Sequence, residues 1–549
     1  MELLAHHPDR RRISPLELLL TVNAVGLVLV AAWLRCRSLG NIPAVNGDEA
    51  WYGVAAMELL QQGRFRLQTP TGNPVNSFFF GPVVLLHLLL RPSIILLRAV
   101  AVGSGLAALA INWLLCRWVF DRRTATISTV VLAVLPINLA YSRFAWDASQ
   151  SLFATLPVLY LSLAAVRFPQ RLRPCLTAAV AAQVVALLVH PTNIFAAAAI
   201  VAVLAVRVPP QSIKRLMPSG TVGRLLLGGA VLATILSAAS AVYWLPMPGL
   251  SRFTNRMGDP WQLVNPQGTP HFTVLYGRLF TGGTIYRYIP GSQSWFEWPA
   301  GWGTDGWGLD LVLFWVMAAA AVWFLWRSPK SEARLGDRFL VSAWALQLVA
   351  FLLLAGPAAM VPGWERYAIC LIGPAVVLAA RAAARVFGTP GMPLRVVLAT
   401  AALAGWLVLA DFQRHYFDFI RQTGCEVGPG RSHETFRTAA IEPKRAALDE
   451  ILRHRGAGPT WIVTSQWWNY CPLKYLATAE QGVRVVTPDE AEAAAEFTRA
   501  LVQGRVWCVE FSGSEGAEKA RAMLAGREIS RRQIEDFAGR PVLDVLHGE

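Results

Sequence analysis

Apolar residues in this chain come in blocks of roughly 17 to 22, the length needed to cross the hydrocarbon core of a bilayer. Short arginine-bearing loops separate them. Such blocks read as transmembrane helices, so the chain is expected to be a polytopic α-helical membrane protein. Composition agrees: of 549 residues, 54% are hydrophobic and only 15% are charged, where a soluble domain carries about 25% charged residues. The net charge of +15 would suit a nucleic-acid partner. The basic residues, however, gather in short loops between apolar blocks, which is the positive-inside pattern of an inner membrane. No DNA or RNA motif accompanies them, so no nucleic-acid partner is expected.

Spans are expected at roughly 15–35, 99–116, 125–141, 150–166, 175–190, 192–206, 222–244, 309–326, 339–357, 367–384 and 394–411. The first follows HHPDRRR and lacks a small-residue cleavage site, so it reads as an uncleaved span. The run FFFGPVVLLHLLL, Phe78 to Leu90, is too short to cross and reads as interfacial or re-entrant. With that choice one face receives Arg10–Arg12, Arg117, Arg122, Arg123, Arg167, Arg171, Arg173, Arg207, Lys214, Arg215, Arg224, Arg327, Lys330, Arg334, Arg338, Arg381, Arg385 and Arg395. That face is cytoplasmic. About eleven transmembrane helices in a bacterial inner membrane follow, with the N-terminus inside and the C-terminus outside.

The opposite face collects the unusual polar residues. NGDEAWYG carries Asp48 and Glu49, YSRFAWDAS carries Arg143 and Asp147, VHPTN carries His190, and GWERYAIC carries Glu365, Arg366 and Tyr367. Arg98 lies there too. Polar groups at span ends are costly unless used or paired, and their convergence points to an active site near the outer leaflet. Each has a structural reading as well. Asn46 as N-cap puts Glu49 at N3 of a capping box, and both acids favour the positive end of a helix dipole. This leaves Asp48, turned about 100° from its neighbour, without a capping duty. Asp147 can cap the next span with Arg143 as partner, His190 can end a span before Pro191, and Arg98 can be an interfacial anchor. Arg366 suits a phosphate, because its fork binds two oxygens. The outer loop 245–308 carries Trp261, Tyr276, Tyr286, Tyr288, Trp295, Trp298, Trp302 and Trp307, which reads as an aromatic belt or as platforms for sugar rings.

Hydropathy drops near Gly424. Beyond it AALDEILRHRG, TWIVTS, GVRVVT, DEAEAAAEFTRALVQG, RVWCVEF and EGAEKARAMLAG alternate helix and strand. This suggests a small α/β domain with a mostly parallel sheet, with a helix beginning near Pro472. The expected division is 1–423 for the transmembrane part, with outer loops 36–98 and 245–308, and 424–549 for an extracytoplasmic α/β domain. Seven cysteines are scattered; Cys425, Cys471 and Cys508 lie in the tail, where a disulfide is permitted but spacing does not pair them. No ligand cluster of metal-binding spacing is present, so no obligatory metal or other cofactor is expected.

Together, the early DEA, LLRAVA, FDRRTATISTVVLAVLPINLAYSRFAWDAS and ERYAICLIGPAVVLAA resemble the membrane glycosyltransferases of the GT-C fold. Within that fold they are similar to family 39, which includes protein O-mannosyltransferases and the aminoarabinose transferase acting on lipid A. The resemblance spans about residues 15 to 390. It implies a polyprenyl-phosphate sugar as donor, an acceptor glycan, lipid or protein, and inversion at the anomeric carbon. It also implies Asp48 as general base, Glu49 as a supporting acid, and Arg98 as a contact to the lipid phosphate. TGNPVNSFFFGP lacks the Lys-Pro-Pro or His-Pro-Pro of relatives, which removes one phosphate ligand. The chemistry fits independently. A carboxylate takes the acceptor proton, and cations stabilise the leaving phosphate. Arg98, Arg366 and Glu49 are the candidates on the phosphate side. Asp147, Arg143, His190, Glu365, Tyr367, Trp467 and Trp468 are candidates for substrate contacts. SQWWNYCPLKY resembles the WWDYG motif of oligosaccharyltransferases imperfectly, with Asn469 and Cys471 at the acid and glycine positions. An oligosaccharyltransferase-like enzyme with a lipid-pyrophosphate donor and a transporter are the alternatives. A transporter should show inverted repeats and mid-membrane charges, which are not evident.

Overall fold

A computed structural model describes residues 15–70, 72, 74–207, 269–297, 309–327, 332–355, 363–386, 394–427 and 433–548. The expected span at 222–244 lies outside them, as do Trp261, Trp298, Trp302 and Trp307 of the aromatic loop.

The apolar blocks become helices: α1 Pro15–Cys36, α2 Gly47–Gln62, α3 Ser77–Leu89, α4 Ile94–Val119 and α5 Arg122–Val134. Six stretches among the described residues are long and apolar enough to cross a membrane: Leu18–Cys36, Ile94–Val119, Asp147–Arg167, Pro169–Val189, Arg334–Leu352 and Glu365–Val386. Ser77–Leu89, Pro191–Arg207 and Leu311–Trp326 are apolar but shorter. The protein is therefore a multi-pass membrane protein. The block expected to span 125–141 is divided, because Pro136 has no N–H and its ring clashes with the preceding turn; α5 stops at Val134 and a separate turn covers Pro136–Tyr141. The block at 192–206 starts as 3₁₀ turns, Pro191–Ala197, before becoming α-helical at Ala198. α3 buries Phe79, Phe80 and Val83 but exposes Leu85, Leu88 and Leu89, a one-sided apolar surface suited to lying in a membrane interface.

Two buried arginines cap helix ends, where aligned peptide dipoles leave negative charge. The Arg35 guanidinium donates to the carbonyls of Ala31 and Ala133, at the ends of α1 and α5. Arg143 donates to the carbonyls of Leu34, Arg35 and Ile42 and fixes the chain leaving α1. On the basic face, Arg381 pairs with Asp121 at 2.7 Å and Asp337 at 3.0 Å, and Arg385 pairs with Asp337 at 2.8 Å. These two arginines therefore bind helices together as well as marking a loop.

The C-terminal sheet comprises β1 Thr460–Val463, β2 Val483–Val486, β3 Val506–Phe511, β4 Ile529–Glu535 and β5 Pro541–Gly548, in the order β2-β1-β3-β5-β4. β2, β1 and β3 are parallel; β5 is antiparallel to both β3 and β4. The sheet is thus mixed rather than mostly parallel. ISRRQIE of β4 is almost wholly exposed and charged, as an edge strand should be, and so gave no apolar signal. The helix expected near Pro472 begins earlier, at Trp467, and runs to Ala477. Cys425, Cys471 and Cys508 are buried free thiols.

This domain packs on α2 through a seam of glycines. A Cβ on Gly47 would lie 2.6 Å from the Trp467 ring, and one on Gly53 would lie 2.5 Å from the Tyr475 ring. The Tyr475 hydroxyl accepts from the Ser93 N–H at 2.9 Å, donates to the Ser93 carbonyl, and lies 2.8 Å from His87 Nε2. One side chain thereby ties the domain to α3 and to the start of α4. The segment before the sheet also grips the first outer loop: Thr438 Oγ1 accepts from Ala44 N–H, and Lys444 Nζ donates to the carbonyls of Val45 and Thr435. Because hydroxyl bonds fix the Tyr475 ring, Gly53→Ala is expected to cost about 1–3 kcal/mol by overpacking. Thermal unfolding of the purified protein checks this.

Candidate active site

α2 begins at Asn46, whose side chain accepts from Glu49 N–H at 3.0 Å while Glu49 Oε2 accepts from Asn46 N–H at 3.3 Å. This is the capping box expected from NGDE. Glu49 does more than cap. Fully buried, it takes two hydrogen bonds from Arg98, Nε to Oε1 and Nη2 to Oε2, each at 2.8 Å. It also accepts from Ala145 N–H at 3.0 Å. Arg98 spends its remaining donors on the carbonyls of Leu39, Pro43 and Ala44. The expectation that Arg98 and Glu49 contact a donor phosphate does not match this geometry. Both are fully buried, and each satisfies the other. Arg143, spent on carbonyls, is likewise part of the scaffold rather than a substrate contact.

Asp48 emerges from the same turn in the other direction, and 34% of its side chain stays accessible. Arg366 reaches it, Nη2 to Oδ2, at 3.7 Å, longer than a hydrogen bond. The Arg366 guanidinium rests over Trp146, 4.6 Å from the ring centroid, and over Tyr367 at 5.1 Å. Trp146 is held by its indole N–H to Asn46 Oδ1 at 3.2 Å, so one asparagine orders both the helix carrying Asp48 and the platform beneath Arg366. Asp147 is close enough to act electrostatically on both Asp48 and His190. The His190 ring stands 5.4 Å from that of Tyr367, and its Nδ1 is 2.7 Å from Thr192 Oγ1. Trp467, from the C-terminal domain, stands close enough to Asp48 to favour its ionised form.

The surroundings set the acidity of Asp48. Burial raises its pKa above the ordinary aspartate value, Arg366 and the Trp467 N–H pull it back, and Asp147 and Glu49 push it up. A carboxylate destabilised in this way holds a proton more firmly, which strengthens it as a base.

Of the sequence candidates, the fold brings Asp48, Asp147, His190, Arg366, Tyr367 and Trp467 together. Glu365 sits apart as a fully buried acid accepting from the Tyr141 hydroxyl at 2.8 Å, not as an accessible substrate contact. Trp468 turns toward His433, with ring centroids 5.1 Å apart. Two residues were not singled out by sequence. Tyr52 is buried and acted on by both Asp48 and Asp147; its position four residues after Asp48, on one helix face, was the available signal. Tyr288 interacts with Arg366 and Asp48 but was submerged among the loop aromatics. No group of three or more His, Cys, Asp or Glu able to hold a metal occurs among the described residues.

No protein-family model matches this sequence, and no curated protein does. Among solved structures, the chain is similar to ArnT from Cupriavidus metallidurans bound to undecaprenyl phosphate. The TM-score is 0.51 and the identity 15%, over 95% of this chain and 97% of that one. A weaker likeness is to the oligosaccharyltransferase AglB from Archaeoglobus fulgidus, with a TM-score of 0.45 and 13% identity over 89% of this chain and 69% of that one. The first match spans nearly the whole of both chains and gives this protein the GT-C membrane fold with a small C-terminal domain.

Proposed function

We propose that this protein transfers a sugar from a polyprenyl-phosphate donor to an acceptor hydroxyl at the outer face of a bacterial inner membrane. Asp48 is the general base, and transfer inverts the anomeric carbon. The observation that carries this reading is the pairing of a partly exposed carboxylate with a partly exposed guanidinium, Asp48 and Arg366, 3.7 Å apart. Both stand at helix starts on the face that gathers the chain's unusual polar residues. The undecaprenyl phosphate bound to the similarly folded ArnT supports a lipid phosphate as part of the donor.

The chemistry follows from these positions. The acceptor oxygen attacks the anomeric carbon as its proton passes to Asp48; the bond from that carbon to the phosphate oxygen breaks, and the phosphate leaves as an anion. Arg366 is the cation for that anion, because its contact to Asp48 is loose and Trp146 presents its planar fork. Capture of Arg366 by the phosphate removes a group that lowers the Asp48 pKa and brings a second anion near. Both effects make Asp48 a stronger base only when donor is bound. Asp147 and His190, with Tyr367 and Tyr52, line the remaining side, where sugar or acceptor hydroxyls need partners.

The test uses purified protein in lipid, with a panel of polyprenyl-phosphate sugars, and follows release of polyprenyl phosphate together with donor binding. Turnover by the wild type is expected, and Arg366→Ala should reduce it about 10²-fold, the scale of losing one charge-stabilising group. Binding of polyprenyl-pyrophosphate sugars with no binding of monophosphate ones would overturn the donor assignment.

A further inference from the structure

We infer that the C-terminal domain completes the catalytic centre: the Trp467 indole N–H positions the Asp48 carboxylate, and Gly47 is the contact that lets it reach. The inference rests on the reading of Asp48 as the base. Trp467 is the first residue of the helix that follows β1, so it belongs to a different part of the fold from the helix carrying Asp48. Three observations join the two. The indole N–H stands close enough to the Asp48 side chain to favour its ionised form. The ring and the Trp467 backbone press on the residue just before Asp48: a Cβ on Gly47 would lie 2.6 Å from Trp467 Cδ1 and Nε1 and 2.8 Å from its carbonyl oxygen. Further along the same two helices, Tyr475 against Gly53 and Lys474 near Glu58 at 3.6 Å hold the seam in register.

The geometry has a chemical consequence. A carboxylate has two oxygens, and a base must present one of them free. At Asp48, Arg366 stands near Oδ2, and the indole, a donor that accepts nothing, approaches from beside Gly47 without competing for the acceptor proton. Asp48 is faced by Glu49 and Tyr52 from its own helix, Asp147 from the turn after Trp146, Tyr288 from the outer loop, Arg366, and Cys471 from the Trp467 helix. Among these neighbours the N–H of Trp467 and the charge of Arg366 favour the ionised form. A domain displaced from α2 therefore leaves the base both less ionised and less oriented. Trp467 is a positioning residue, since it acts through Asp48.

Trp467→Phe keeps the ring and deletes the donor. The acid limb of the rate–pH profile should move to higher pH, because the carboxylate loses a bond that favoured its charged form and needs a higher pH to ionise. Turnover at the plateau should fall several-fold, while KM for the donor stays near wild type. Gly47→Ala should move the limb in the same direction by wedging the ring away. A readout free of turnover accompanies these. In protein labelled with 5-fluorotryptophan, the resonance missing from Trp467→Phe should titrate with pH in the wild type and cease to titrate in Asp48→Asn. If Asp48→Asn abolishes transfer but Trp467→Phe leaves the limb unmoved, or the resonance titrates unchanged in Asp48→Asn, the positioning role is wrong and the base stands. If Asp48→Asn transfers sugar like the wild type, the base assignment itself fails.

Discussion

Asp48→Asn is expected to reduce sugar transfer by about 10²- to 10⁴-fold, the contribution of a positioned general base, with donor binding retained. The substitution is nearly isosteric, so the α2 start should survive. The capping box belongs to Asn46 and Glu49, and Asp48 contributes no bond to it. Asparagine can still accept from the Trp467 N–H but cannot take a proton at useful pH. The loss should therefore lie in turnover rather than in affinity, and donor binding measured beside polyprenyl-phosphate release separates the two. Removing a negative charge beside Arg366 frees that guanidinium, so donor affinity should hold or rise. A variant that transfers sugar at the wild-type rate would move the base to another group, and Asp147, whose charge also acts on Asp48, is the acid to examine next.

Arg98→Ala should fail in a different way. It strips a fully buried carboxylate, Glu49, of the partner that bonds both of its oxygens. Breaking a buried pair by removing one member costs about 3–5 kcal/mol, and here the carbonyls of Leu39, Pro43 and Ala44 lose their donor as well. The expected result is a large drop in thermal unfolding midpoint and in yield of folded protein. Arg98→Lys should restore little, since an ammonium cannot reproduce the two-pronged bond. If Arg98 instead served the donor phosphate, the unfolding midpoint would stay near wild type while donor affinity fell. Measuring both on one preparation decides between a scaffold and a ligand.

These two outcomes mark where sequence reasoning reached and where it stopped. Asp48 was separable from Glu49 by helix geometry alone, because Asn46 fixes N3 and leaves the residue before it unassigned. Arg98 and Arg143 carried no such mark. An arginine near a span end has the same local sequence whether it faces an anion or a ring of carbonyls, and the difference lies in chain brought from residues 34–44. Glu365 and Arg366 are adjacent and equally polar, yet one turns toward Tyr141 and the other toward Asp48. Trp467 and Trp468 divide the same way, between Asp48 and His433. β4 was invisible because it is an exposed, charged edge strand; β5, with Val542, Leu543, Val545 and Leu546 buried, did carry an apolar pattern.

That the chain lives in a membrane, roughly where most of its helices run, that Ser77–Leu89 is too short to cross, and where α2 begins were all legible in the order of the amino acids. Each of these follows from interactions within a few turns of the chain: hydrophobic length, proline geometry and a capping box. Tertiary structure decided which charges are scaffold and which are accessible. Burial, pairing and pKa depend on groups distant in sequence, as when residues 147, 366 and 467 converge on the Asp48 carboxylate.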